Sequence, residues 1–196
     1  MKSNLWLEKN QLVERTLESK EMFQGNLLRL YLDRVSLPNG TTSSREWVAH
    51  PGACAIVPVF ADGTIMMVKQ YRYPLKQIFF EVPAGKIDPL EDPKLTAARE
   101  TSEETGLMTK EIAYVGHFYP VIGYSDEVIH IYTAWNLTQE VENLDRDEFL
   151  VTERISFQKA IDLVEEGIIT DGKSICALYQ TRAWWKRQGP FPVPFR

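Results

Sequence analysis

Short apolar stretches broken by turn signals run through the whole chain. Leu28, Leu30 and Leu32 alternate with other residues at the two-residue period of a strand. Pro38-Asn39-Gly40 follows as a turn, and His50-Pro51-Gly52 interrupts the chain at a soft boundary. Residues 1–48 are therefore expected to form a small strand-rich segment, and 49–196 the main domain. The apolar run 53–60, the turn Asp62-Gly63 and the returning stretch 64–68 predict a β-hairpin. Further strands are expected over 78–82, where Pro83 stops the run, and over 112–118, 128–137 and 149–155. A first helix is predicted from Asp92-Pro93, with Asp as cap and Pro in the first turn, to a stop at Gly106. A second covers about 156–167, because Phe157, Ala160, Ile161 and Val164 share one face. A third starts near Asp171. The Pro- and Phe-rich residues 189–196 read either as a surface strap or as an oligomer contact. Strands interleaved with helices predict an α/β protein.

Composition narrows the class. Hydrophobic residues make up 44% and charged residues 25%, the usage of an ordinary globular protein. No apolar run approaches the roughly 18 residues of a membrane span. The first residues meet charge at once and lack a signal peptide's apolar core. The net charge is −5 and no basic block is present, so neither nucleic acid nor membrane is an expected partner. Cys54 and Cys176 sit among apolar residues and read as reduced core thiols of a cytoplasmic protein.

The chemistry is concentrated between Gly85 and Leu107. On a helix at about 100° per residue, Glu100 and Glu104 lie one turn apart, with Glu103 on the same side. They crowd the C-terminal, negative end of the helix dipole, and like charges at i, i+4 repel. By itself such a cluster is commonly a solvated acidic face. A bound divalent cation would reverse the sign of each of these effects. Hard carboxylate oxygens without His or Cys suit Mg²⁺ or Mn²⁺ rather than zinc.

The surrounding spacing is more specific. Gly85, Glu91, Arg99-Glu100, Glu103-Glu104 and Gly106-Leu107 stand at the offsets of the Nudix box, and the stretch resembles it in every charged residue and both glycines. One position departs from the pattern: Thr101 stands where an aliphatic residue is usual, and a packing cost is expected there. The resemblance implies the Nudix fold, a mixed β-sheet sandwiched between helices, here with a small N-terminal β-segment. It implies hydrolysis of a nucleoside diphosphate linked to another group. It also implies Glu100, Glu104 and the Ala84 carbonyl as metal ligands, Glu103 as ligand or water-positioning group, and Arg99 as the residue that orients a box glutamate.

The likeness extends beyond the box. Phe23-Gln24-Gly25-Asn26, Leu37-Pro38-Asn39-Gly40, Arg45-Glu46, His50-Pro51-Gly52-Ala53, Lys69-Gln70-Tyr71-Arg72-Tyr73-Pro74 and Glu81-Val82-Pro83-Ala84-Gly85 look like the ADP-ribose pyrophosphatase group. That resemblance implies a homodimer exchanging its N-terminal β-segments, and substrate contacts at Arg45, Glu46 and Arg72. Glu127 is a further candidate contact to the sugar or a metal. Trp47 and Phe23 are candidates for stacking on a base, against the plainer reading as core aromatics. Ile122 stands where ADP-ribose enzymes usually carry proline. Two substrate ranges therefore remain open: ADP-ribose and close relatives, or a broad set of nucleoside diphosphate sugars. Nucleoside triphosphates or dinucleoside polyphosphates form a third, lesser alternative. The general base is expected in the acidic loop 142–149, with Glu148 first and Asp147 second.

Overall fold

A computed structural model describes residues 12–139 and 149–190. The described chain divides into two compact units. The first holds the residues up to His50 together with Val121–Glu127. The second holds the remainder.

In the first unit, β1 (Arg15–Gln24), β2 (Arg29–Ser36) and β3 (Thr42–Ala49) form an antiparallel sheet in that order. The turn read at Pro38-Asn39-Gly40 is present. Gly40 adopts φ 84°, its N–H donates to the Leu37 carbonyl, and Asn39 Oδ1 accepts from Thr41 N and Oγ1. The parity of burial differs from the leucine alternation. Asp33 and Val35 are the buried positions of β2, while Leu30 and Leu32 stay half-buried. The reason is a polar anchor: Asp33 accepts from Ser19 Oγ (2.6 Å) and Trp47 Nε1 (3.0 Å), and Trp47 stacks on Tyr31 at 4.8 Å. Val121–Glu127 runs beside β3, with Val48 N–H donating to the Tyr124 carbonyl at 2.8 Å.

The second unit is built on a mixed sheet in the order β7 (Ala84–Lys86), β4 (Ala53–Pro58), β9 (Ile129–Gln139), β8 (Leu107–Phe118). The β4–β9 pair is parallel and the others are antiparallel. Helices cover both faces. Cys54 and Ile56 of β4 and Tyr132 and Ala134 of β9 pack with Ala97 of α1 (Pro93–Thr105). Ala55, Val57, Ile131 and Trp135 pack with Phe157 and Ile161 of α2 (Phe157–Glu165) and with Leu178 and Trp185 of α3 (Gly172–Gln188). Burial on both faces explains why β4 reads as a continuous apolar run. It also fulfils the expected mixed sheet between helices.

A second sheet, in the order β10 (Leu150–Ser156), β5 (Thr64–Arg72), β6 (Gln77–Glu81), corrects the predicted hairpin. The turn at 60–64 closes as expected, with Phe60 N–H to the Thr64 carbonyl. Beyond it only a Val59–Ile65 bridge joins the two strands. Both edges of β4 are already taken, by β7 and β9, so β5 has no ladder to join and pairs with β10 and β6 instead. The strand expected over 112–118 begins earlier, at Leu107. The polar residues 109–111 hide its start from a hydrophobic pattern.

Candidate active site

Helix α1 starts and stops where local chemistry dictates. Asp92 accepts from Lys94 N at 2.8 Å, Pro93 occupies the first turn, and Gly106 closes the helix at φ 63° with its N–H on the Ser102 carbonyl. The face it buries is polar: Thr96, Ala97, Glu100, Thr101, Glu104 and Thr105. Thr101 satisfies its buried hydroxyl on the Ala97 carbonyl at 2.7 Å, so the departure from an aliphatic residue leaves no orphaned donor. Beneath the start of the helix, Cys54 Sγ contacts the Pro93 carbonyl at 3.0 Å. Burial pushes its thiol up to about 12, which makes it a packing residue rather than a nucleophile.

Arg99 ties this helix to the loop before it. Nε and Nη2 each reach Glu91 at 3.0 Å, Nη1 reaches Glu100 at 2.9 Å and Glu103 at 2.8 Å, and Nη2 also reaches the Lys86 carbonyl at 3.3 Å. A guanidinium has five N–H donors, and all five are accounted for here. Arg99 therefore holds Glu103, and it holds Glu91 and Glu100 as well. Glu91 also accepts from Thr96 Oγ1 (2.7 Å) and from Asp88 N (3.3 Å).

The Arg99 guanidinium holds the Glu91 carboxyl well below the usual carboxylate range, at about 2, with Thr96 and the Asp88 N–H adding to it against the effect of desolvation. A carboxyl lowered in the folded state contributes stability above its unfolded value of about 4.3, and loses it as pH falls through the folded value. Glu91→Gln is accordingly expected to destabilise the chain at pH 7 by on the order of 1–2 kcal/mol, after allowing for partial exposure, or about 4 °C in Tm. Thermal unfolding of mutant and wild type should converge as pH approaches 2. A gap that stays constant from pH 7 to pH 2 would refute this linkage.

Glu104 is 2% exposed, and its Oε2 accepts from Ala84 N at 3.1 Å. Glu100 is 8% exposed and lies against Gly85. A Cβ added at Gly85 would fall inside the Glu100 carboxylate, so the missing side chain is what admits that carboxylate. Ala84, Glu100, Glu103, Glu104 and Arg99 are thus brought together. Among the described residues no three His, Cys, Asp or Glu side chains converge into a ready-made metal cage, and Arg99 spans Glu100 and Glu103. The donor chemistry nonetheless fits a hard divalent cation: two largely buried carboxylates, a third beside them, and a cleared backbone at Gly85.

Arg72 belongs to a neighbouring cluster. Its Nε and Nη2 form a bidentate pair with Glu81 at 2.8 and 2.7 Å, and Glu81 is also bound by Lys173 at 2.9 Å. Glu104 acts electrostatically on Arg72, helping to keep it charged after the stronger effect of the Glu81 hydrogen bonds. The residue pattern did not single out Glu81 and Lys173. The available signal for Glu81 was a carboxylate set inside the apolar run 78–82. Lys173 had none, since Glu81 and Val82, which it reaches, lie some ninety residues earlier in the chain.

The other candidates lie in the first unit or outside the described residues. Arg45 is exposed on β3 and bonds to Glu14, Ser43 Oγ and the Ser44 carbonyl. Glu46 is exposed beside it, and Glu127 stands 3.6 Å from His50 Nδ1. Trp47 is engaged with Tyr31 and Asp33, which favours the plainer reading of that aromatic, whereas Phe23 is 57% exposed. Glu148 and Asp147 lie outside the described residues.

The NUDIX domain model matches residues 49–178, and a nucleoside diphosphate sugar hydrolase N-terminal domain model matches residues 14–48. An ADP-ribose pyrophosphatase of Bacillus subtilis (strain 168) is 40% identical over 169 residues, 85% of this chain and 91% of that protein. A methanol dehydrogenase activator of Bacillus methanolicus is 39% identical over 167 residues, 84% of this chain and 90% of that protein. In fold, the chain is similar to the crystal structure of an ADP compounds hydrolase. That match has a TM-score of 0.81 at 22% identity and covers 93% of this chain and 99% of the other.

Proposed function

The chain belongs to the NUDIX domain family, and from that premise we propose that it hydrolyses the diphosphate bond of ADP-ribose and related nucleoside diphosphate sugars. The products are a nucleoside monophosphate and a sugar phosphate. The observation that carries the reading is the buried pair Glu100 and Glu104, packed against the Ala84-Gly85 backbone with Arg72 close by. A cluster of acids at the unfavourable end of a helix dipole has a physical reason to exist if cations are bound there.

Nudix enzymes work with divalent metal ions, and Mg²⁺ is the ion read here, with Mn²⁺ as the alternative. When bound, such ions neutralise the diphosphate and activate the attacking water. In this reading Glu100, Glu104 and the Ala84 carbonyl would hold the metal, and Glu103 would hold metal or position water. Arg99 keeps Glu103 and Glu100 aimed. Arg72 offers a permanently charged planar donor to the diphosphate oxygens. Arg45, Glu46 and Glu127 are substrate contacts, and Glu148 accepts the proton of the attacking water. The water oxygen forms a new bond to phosphorus, the bridging phosphorus–oxygen bond breaks, and one proton is released.

The broader substrate range draws support from Ile122, which is 82% exposed and leaves the 121–124 turn without the proline of strict ADP-ribose enzymes. A homodimer is part of the proposal, and the exposure of β1 along its whole length supports a second copy covering it. A cytoplasmic location is also part of it, since Cys54 and Cys176 are free thiols. Among the described residues no helix is long and apolar enough to cross a membrane. The test is a panel of ADP-ribose and nucleoside diphosphate sugars with purified protein and Mg²⁺. Release of AMP, or the matching monophosphate, together with sugar phosphate is expected. No turnover of any panel member, or pyrophosphate release from triphosphates instead, would overturn the proposal.

A further inference from the structure

The residues leading into the box, Glu81 to Ala84, are held at each step by a different element of the second unit. The Val82 N–H donates to Ser174 Oγ at 2.9 Å, and the Val82 carbonyl accepts from Lys173 Nζ at 3.3 Å. The Pro83 carbonyl accepts from Ile56 N–H at 2.9 Å, and the Ala84 N–H donates to Glu104 at 3.1 Å. The first turn of α3 therefore grips the Val82 peptide by both of its polar groups. Asp171 fixes that turn by accepting from Ser174 N at 2.9 Å.

The same turn reaches Glu81. This carboxylate is 2% exposed and lies between two cations, Arg72 on one side and Lys173 on the other. Lys173 has three N–H donors and three acceptors around it: Glu81, the Val82 carbonyl and Asp171 at 3.4 Å. Its side chain is 15% exposed, so its ammonium is largely committed to these three acceptors. Arg72 differs. Its side chain is 40% exposed and Glu81 engages only Nε and Nη2, so Nη1 is open toward the cavity of about 230 Å³ that Arg72 lines together with Leu75, Phe79, Glu81, Asp171 and Lys173. One cation of the cluster is thus consumed internally, and the other is presented with its plane set by a bidentate contact.

We propose that Lys173 is a positioning residue for substrate binding: acting through Glu81, it fixes the orientation in which Arg72 is presented to the diphosphate. Removing Lys173 takes from Glu81 Oε2 its second donor and one of its two balancing charges. The carboxylate is then free to turn out of the guanidinium plane, and Arg72 loses its preset geometry. The inference rests on the reading that Arg72 holds the diphosphate.

A double-mutant cycle tests it on a diphosphate that the wild type cleaves. Lys173→Met keeps the apolar stem and removes the charge. It is expected to raise KM about tenfold with kcat changed by no more than about twofold. In an Arg72→Met background the same substitution should have almost no further effect, and Lys173→Arg should restore most of the lost affinity. Glu81→Gln, carried through the same cycle, gives the same readout if thermal unfolding shows that Lys173→Met does not fold. An unchanged KM, or an effect equally large with and without Arg72, overturns the inference while leaving the proposed function intact. A wild type that cleaves nothing on the panel removes both.

Discussion

Glu104→Gln is expected to leave the protein folded and almost inactive, with kcat reduced on the order of 10³-fold. Gln preserves the size of the side chain and one carbonyl acceptor, so the contact with the Ala84 N–H at 3.1 Å survives. What disappears is one negative charge at a site 2% exposed, where solvent does little to replace it. A proposed metal ligand that loses its charge weakens the bound cation directly. Exposed acids of a merely solvated face would tolerate the same change within a small factor. Steady-state assays over a range of Mg²⁺ concentrations, with thermal unfolding as the control for folding, check the result. Comparable rates in mutant and wild type would remove Glu104 from the metal site.

Gly85→Ala is the second large effect, and its origin is steric. Gly85 pairs with Cys54 across β7 and β4, and the space where its side chain would stand is occupied by the Glu100 carboxylate. Glu100 has little room to withdraw, because it is 8% exposed and Arg99 holds its Oε1 at 2.9 Å. An added methyl must displace either the β7 backbone or the carboxylate. Overpacking of this kind costs about 1–3 kcal/mol in stability. The larger consequence is for activity, since a displacement of about 1 Å at a catalytic centre costs on the order of 10²-fold. A loss in kcat/KM of that size, together with a Tm drop of a few degrees, is expected from assay and unfolding. A fully active Ala variant would mean that Glu100 need not occupy this place.

The two substitutions illustrate different degrees of legibility. That Glu104 shares a helix face with Glu100 was legible from spacing alone, because i, i+4 neighbours share a face whatever the rest of the chain does. The importance of Gly85 was visible as a box position, but its physical reason was not. It depends on Glu100 folding back across the loop to meet a strand fifteen residues earlier. Arg99 falls between these cases. Its pairing with Glu103 follows from helix periodicity, whereas its bidentate hold on Glu91 required the 86–92 loop to fold back beside the helix.

Local chemistry by itself determined where α1 begins and ends, the shared face of its three glutamates, the turn at Asn39-Gly40, and the apolar strands of the core. Each of these depends on residues within a turn or two of one another, and propensity and periodicity act at that range. Tertiary structure decided which strand β5 pairs with, how deeply Glu100 and Glu104 are buried, and that the start of α3 grips Val82 and Glu81. Those outcomes rest on which strand edges and polar groups remain unclaimed once distant segments meet. No local pattern along the chain records that competition.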